Sequence, residues 1–243
     1  LPSHPELLDY LAKDFMAEDW SIKTMIRKMV MSSTYRMSTV PGDEALAMDP
    51  DNVYLQRMPV KRLEAEQIRD HVLFVSNELN RELYGPSVRA YTEDLPKARG
   101  SKKSGPVNGN GRRSVYTELR RNFMPSFLRV LGMPNALEPV GARNVTNVPA
   151  QSLAMMNSEF MRQQSRAWAT HLLASEPDEE ARIHAMHKVA LSRPAEADEI
   201  SWARSVVQDI RSMYQERGDV DEVAVWQELC HVMMNRKEFI YLF

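Results

Sequence analysis

Cysteine is nearly absent from this chain of 243 residues, which contains Cys230 alone. An internal disulfide and a cysteine-rich zinc site are therefore both impossible. The sequence contains no C-x-x-C-H motif, which excludes covalent attachment of a c-type haem to this segment. Cys230 lies at an apolar helical position, so we interpret it as a small core residue rather than a nucleophile.

A long hydrophobic run and an excess of one charge are also missing. No apolar stretch approaches the roughly 20 residues that a membrane-spanning helix needs. The formal net charge is -2, which gives no broad basic field for a nucleic acid. We therefore predict neither a membrane span nor a nucleic-acid partner for this segment.

The usual signatures of catalysis and cofactor binding are absent as well. There is no G-x-S-x-G, no G-x-x-x-x-G-K, no H-E-x-x-H and no G-x-G-x-x-G. His184 and His187 lie one helical turn apart, but neither they nor the 16 methionines have the partners of a metal or haem site. We predict no metal and no cofactor, and whether the chain is an enzyme stays open.

Helical periodicity is the main positive signal in the sequence. Apolar residues recur every three to five positions, most extensively from Val60 to Leu83. A further helix begins near Pro149, and its buried side is expected to contain Leu153, Met156, Phe160, Trp168 and Leu172. The pattern predicts an all-α fold, an irregular multi-helix bundle with long loops and minimal strand.

Composition divides the chain into four segments. We predict an N-terminal helical part (1–88), a flexible loop rich in glycine, lysine and arginine (89–113), an irregular connecting segment (114–148) and a C-terminal helical part (149–243). The loop carries too few apolar residues to bury a face, although it could instead become ordered on an anionic partner. The parts are expected to form one compact domain of a larger protein, because the chain opens without an initiator methionine.

Polar side chains in or beside the irregular segments form the candidate site. Arginine and asparagine in loops present fixed donors to carboxylates, sulfates or sugar hydroxyls, and they can equally satisfy buried loop backbone. The candidate residues are Tyr35, Arg36, Arg62, Glu66, Arg69, Asp70, Arg120, Arg121, Asn122, Arg143 and Asn147.

We hypothesise that these residues converge from separate segments of the chain. Clustered guanidinium groups repel one another unless carboxylates or a ligand offset their charge. The internal partners on offer are Glu64, Glu66, Asp70 and Glu118. The cluster is thus either a structural clasp or a binding site for an external anion such as an acidic glycan, and the sequence leaves both alternatives open.

Several local patterns resemble one known family in their order along the chain. They are PSHPELLD at 2–9, STYRMS at 33–38, RLEAE at 62–66, RSVY at 113–116, RNVTNVPAQSL at 143–153, LSRP at 191–194 and NRKEF at 235–239. Together they resemble the planctomycete-type domain of unknown function that carries the number 1553, over nearly the whole chain.

The resemblance implies a cellular location and a domain arrangement, but no specific activity. It implies a large bacterial protein that is periplasmic, secreted or held at the cell surface. In such proteins this domain follows a second uncharacterised domain, often with a cytochrome-c-like domain further upstream. We therefore expect a helical interaction or scaffold domain that contacts its upstream neighbour. The alternative is part of a carbohydrate-active or oxidative enzyme, with an Arg/Asn-rich anion or glycan site at the domain junction.

Overall fold

The structure is a computed structural model that describes residues 2–91, 104–121, 124–137, 139–143, 146–218 and 221–243. Contacts between Cα atoms divide the chain into two compact units. The small unit consists of Leu1–Lys61 and Tyr241–Phe243, and the large unit is Arg62–Ile240. The divisions predicted from composition at residues 88, 113 and 148 stay a prediction.

The small unit contains three helices: α1 (Pro5–Ala17), α2 (Ile22–Met31) and α3 (Asp43–Met48). Ser21 caps α2, because its hydroxyl oxygen accepts a hydrogen bond from the Thr24 amide at 3.3 Å. Lys28 of α2 forms ion pairs with Asp14 at 2.8 Å and with Glu18 at 2.9 Å. These pairs hold the α1–α2 hairpin together, yet none of the described residues of α1, α2 or α3 is buried.

The large unit contains the remaining helices and the buried core. Its helices are α4 (Ala65–Val75), α5 (Ser126–Val130), α6 (Pro149–Asn157), α7 (Glu159–Ser175), α8 (Glu179–Leu191), α9 (Ala197–Glu216), α10 (Glu222–Met234) and α11 (Lys237–Ile240). Helices α7 and α10 form the most extensive helix pair, with Trp168 and Trp226 fully buried. Cys230 is a buried core residue, as predicted, and burial raises the pKa of its thiol.

The described residues contain two strands, each two residues long. These are β1 (Lys61–Arg62) and β2 (Tyr241–Leu242), which pair as a two-stranded sheet. The all-α prediction is therefore confirmed. Among the residues described, no helix combines the length and the apolar character needed to cross a membrane.

Helix α4 is shorter than the periodicity predicted. It spans Ala65–Val75 instead of continuing to Leu83. Asn77 adopts a φ of 61°, and the Glu78 amide donates back to the Leu73 carbonyl at 2.9 Å. This is a Schellman ending, in which one left-handed residue stops the helix even though apolar residues continue beyond it.

The helix that begins at Pro149 is interrupted, which the sequence analysis did not predict. Helix α6 ends at Asn157 and α7 starts at Glu159, with the Ser158 hydroxyl capping the new helix. Phe160, Trp168 and Leu172 are buried as expected, but two residues of α6 assigned to the same side are more than half exposed: Leu153 and Met156. The interruption changes the helical phase, so α6 and α7 bury different positions of the pattern.

The predicted flexible loop is folded where the structure describes it. Residues 92–103 lie outside the described part, but Gly109, Gly111 and Arg112 are buried. Gly111 has a φ of 68°, and a Cβ added there would lie 2.1 Å from the Glu78 carbonyl oxygen. A segment poor in apolar side chains thus becomes ordered through close backbone approach, for which glycine is required.

Replacing Gly111 with alanine should therefore destabilise the protein strongly. The left-handed backbone alone costs about 1–2 kcal/mol for a residue with a Cβ, and displacement of the Glu78 backbone should bring the total to about 3–5 kcal/mol. Gly218→Ala is the matched control, because Gly218 has a φ of 84° but no atom of the described residues lies within 4 Å of an added Cβ. Equal losses of unfolding free energy in denaturant titrations of the two variants would contradict the close approach.

Candidate functional site

Arg69 is the centre of the candidate site. Helix α4 places its guanidinium in the interior, and the residue is 7% exposed. Its Nη1 donates to the Arg112 carbonyl at 2.9 Å and to the Ser114 hydroxyl at 3.1 Å. Its Nη2 donates to the Asn108 carbonyl at 2.8 Å. Arg69 thereby holds residues 108–114 against α4.

Asp70 supplies the counter-charge next to Arg69. One of its carboxylate oxygens lies 3.3 Å from the Arg69 guanidinium and also accepts hydrogen bonds from the amide and the hydroxyl of Ser114, both at 2.7 Å. Burial lowers the pKa of Arg69, and Asp70 opposes that shift by favouring the charged form. Arg69 and Asp70 are consecutive residues of α4, and we call them, with the residues 108–114 that they bind, the clasp.

A second buried arginine extends the clasp and was missed by the sequence analysis. Arg112 is 6% exposed and donates to the backbone carbonyls of Glu82 and Tyr84. Its guanidinium lies 4.2 Å from the centre of the Tyr116 ring, a cation–π contact. The sequence placed Arg112 in a loop expected to be flexible, and no periodic signal distinguishes a buried arginine from the exposed ones around it.

A separate, more exposed cluster joins α4 to the segment before α6. Arg143 donates to both carboxylate oxygens of Glu66 at 2.7 and 3.1 Å and lies 3.2 Å from Glu64. Arg62 donates to the Thr146 carbonyl at 2.7 Å. Burial is the largest influence and would raise the pKa of Glu66, but the hydrogen bonds from Arg143, a backbone hydrogen bond and the charge of Arg143 together outweigh it, so the pKa is lowered. The Glu66 carboxylate is therefore held in its charged form.

The remaining candidate residues do not join either cluster through a described contact. Arg120 pairs with Glu118 at 3.2 Å, whereas Arg121 and Asn147 are exposed. Asn122 lies outside the described residues. Tyr35 and Arg36 are exposed residues of the small unit. The structure thus resolves the predicted set into separate groups, and ligand binding by the exposed members stays a prediction.

A five-residue ionic network joins α8, α9 and α11 and was also missed. Arg193 lies 2.7 Å from Glu199 and 2.8 Å from Glu238, and Arg236 lies 2.7 Å from Glu199. His187 is buried, and its Nδ1 donates to the Ile183 carbonyl at 2.9 Å. The only signal in the sequence was the presence of Arg193 and Arg236 in the LSRP and NRKEF segments that carry the family resemblance.

The protonation states of this network follow from its geometry. The hydrogen bonds from Arg193 hold the pKa of Glu199 far below its ordinary value, and Arg236 adds to the effect. Burial lowers the pKa of His187, and a carbonyl accepting from Nδ1 leaves Nε2 to face the Arg236 guanidinium at 3.4 Å. The network is therefore stable with charged Glu199 and neutral His187.

Metal ligation has no support in the described residues. No group of three or more histidine, cysteine, aspartate or glutamate side chains there is arranged to hold an ion. His184 lies 4.0 Å from Glu180, while His187 is bonded to backbone and belongs to the ionic network.

The fold and these contacts define an all-α domain whose buried arginines bond to its own backbone. The chain belongs to the PSD1 family, described as a protein of unknown function (DUF1553), whose sequence pattern matches residues 1–207. This confirms the resemblance inferred from the local motifs. Neither a curated protein nor a solved structure shows significant similarity to the chain.

The two arginine clusters should differ sharply in their contribution to stability. Arg69→Met removes a buried guanidinium and leaves Asp70 and two backbone carbonyls without their partner, which should cost about 3–5 kcal/mol of unfolding free energy. Arg143→Met is the matched control, because the Arg143 side chain is 37% exposed and exposed ion pairs contribute about 0–1 kcal/mol. Denaturant titration measures both values, and a larger loss at Arg143 would contradict the assignment.

Acidification should destabilise the protein through the α8–α9–α11 network. A carboxyl group with a lowered pKa in the fold contributes stability above its unfolded pKa of about 4.3 and loses it as the pH falls further. A neutral buried histidine adds a loss that begins below its unfolded pKa of about 6.5.

The variant Glu199→Gln tests this contribution. It should be less stable than the wild type at pH 7 by about 1–3 kcal/mol, yet lose less stability between pH 5 and pH 3. Melting temperatures across this range measure the effect. Glu216→Gln, at the exposed end of the same helix, should keep the wild-type profile. A Glu199→Gln profile parallel to the wild type would show that the network does not govern acid sensitivity.

Proposed function

We propose that the chain is a helical interaction domain that binds another protein domain through the apolar side of its small unit. The observation that carries this proposal is the exposure of a stripe on α2. Ile22, Ile26 and Met29 are 67%, 54% and 43% exposed. Their spacing of four and three residues places them on one side of the helix. Exposed apolar patches of this kind mark interaction sites on soluble proteins.

The flank of α2 next to this stripe is already occupied within the small unit. Met25 is partly buried and Lys28 forms its ion pairs with α1. Other apolar side chains of the small unit are exposed as well: Leu8 of α1 is 56% exposed and Trp20 is 64% exposed. An amphipathic helix with anchors at i, i+4 and i+7 fits a hydrophobic groove of a partner. An exposed tryptophan such as Trp20 is also typical of an interface hot spot.

The partner in this proposal is the upstream domain of the same polypeptide. The family resemblance supports that partner, since it implies a multidomain bacterial protein at the cell surface or in the periplasm. An interface between two domains of one polypeptide needs no free partner in solution. The apolar surface that this domain contributes is exposed when the domain is considered without its neighbour. The scaffold role and the extracytoplasmic location are parts of the same proposal.

The alternative of a glycan-processing enzyme receives less support from the charges. Glycosidases need a carboxylic acid whose pKa is raised so that it can donate a proton. Among the described residues, every carboxyl group with a displaced pKa is displaced downward: Glu66, Glu159, Glu199, Asp221 and Glu222. Glu66, one of the candidate site residues predicted from the sequence, forms hydrogen bonds with Arg143. These observations favour the interaction domain.

A charge placed in the α2 stripe should strongly weaken binding of the upstream domain. With the two domains produced as separate proteins and titrated calorimetrically, Ile26→Glu should weaken the complex by about 2–4 kcal/mol, as at an interface hot spot. This is roughly 30-fold to 1000-fold in Kd. The melting temperature should stay near the wild-type value, because Ile26 is exposed.

Lys23→Glu provides the matched control on the same helix. Lys23 is also exposed but lies outside the apolar stripe, so its Kd should stay within about threefold of the wild type. Equal weakening by both variants would contradict the stripe as the interface. A wild-type chain that does not bind the upstream domain but forms a dimer in solution would instead identify a second copy as the occupant.

A further inference from the structure

A cavity of about 350 Å³ lies in the large unit beside the buried clasp. Its volume falls within the range of small-molecule sites. Most of its wall is apolar, and Phe127 and Phe160 lie on it with ring centres 5.1 Å apart. The residues used in the argument below are Arg69, Arg89, Thr117, Phe127, Ala154 and Phe160, all of which line it.

The charge on the cavity wall has one sign. Arg69 and Arg89 both line the cavity, and no aspartate or glutamate is among the described residues that do so. The guanidinium end of Arg69 is the part that reaches the wall, because its Cζ lies 5.7 Å from the centre of the Phe160 ring. Its Nη2 also lies 2.6 Å from where a Cβ of the wall residue Gly109 would be.

Arg69 has N–H groups that no acceptor among the described residues binds. A guanidinium carries five N–H groups, and the contacts of Arg69 in the described chain involve Nη1 and Nη2 but not Nε. Three of the four acceptors bind Nη1, and the fourth binds Nη2. One Nη2 hydrogen and the Nε hydrogen therefore have no acceptor among the described residues. Its neighbour Asp70 is shared with Ser114. The buried charge is thus only partly compensated.

Thr117 provides a second polar group without a partner. It lies on the cavity wall, and its buried hydroxyl has no hydrogen-bond partner among the described residues. An unpaired buried hydroxyl is costly, so a hydrogen bond from Thr117 to a bound ligand would be favourable. The cavity also meets the N-terminus of α7 at Ser158, where the helix dipole favours negative charge.

We propose that this cavity binds a small carboxylate with an apolar body, such as an aryl-substituted or branched aliphatic acid. The carboxylate would accept from the unused N–H groups of Arg69 and from the Thr117 hydroxyl, while the body would contact Phe127 and Phe160. The site belongs to the large unit and does not depend on the interaction proposed for α2.

The test uses 4-phenylbutyrate and its neutral amide, 4-phenylbutanamide, with the whole chain. Isothermal titration should show the acid binding at least about tenfold more tightly than the amide, because a hydrogen bond to a charged group contributes about 1.5–3 kcal/mol. Equal binding of the two compounds, or binding of neither, would overturn the proposal.

Two variants locate the binding without disturbing the clasp. Ala154→Leu fills the cavity and should weaken binding of the acid at least about tenfold. Thr117→Val removes the unpaired hydroxyl and should weaken it about three- to tenfold, the worth of one hydrogen bond. The matched controls Ala174→Leu and Thr170→Val lie on the exposed surface of α7 and should bind as the wild type does. Wild-type affinity in Ala154→Leu would show that the acid binds elsewhere.

Discussion

A single buried guanidinium, that of Arg69, sets the local architecture of the large unit. A charge removed from water must be paired and hydrogen-bonded, or the fold loses several kilocalories per mole. Asp70 and the carbonyls of Asn108 and Arg112 supply much of that compensation. The loop therefore comes back to α4, and Gly109 leaves room for the guanidinium, since a Cβ there would lie 2.6 Å from Nη2 of Arg69.

The two units of the chain differ in how much of their apolar surface they bury. The large unit buries its apolar residues between α7, α10 and their neighbours. The helices of the small unit bury none of their residues and leave the α2 stripe uncovered. The uncovered apolar stripe of the small unit is the basis of the interaction proposed above. The cavity beside Arg69 is the basis of the proposed carboxylate site.

Periodicity predicted the helical class and the burial of Cys230, because both depend on local spacing. It could not predict the end of α4, which depends on the left-handed conformation of Asn77, nor the interruption at Ser158 that exposes Leu153. The burial of the polar residues could be predicted even less well. Arg69, Arg112 and Arg143 look alike in the sequence, and only the course of the loop decides that the first two are buried and the third is half exposed.

Amide hydrogen exchange tests the central role of Arg69 most directly. The Ser114 amide donates to Asp70 at 2.7 Å, so it should be protected in the wild type to the level of the α4 amides, which open only on global unfolding. In Arg69→Met the Ser114 amide should exchange through a local opening whose free energy is far below that of global unfolding. The amides of α7 and α10 should still exchange only on global unfolding of the variant. Rapid exchange of Ser114 in the wild type, or unchanged protection in the variant, would contradict the account.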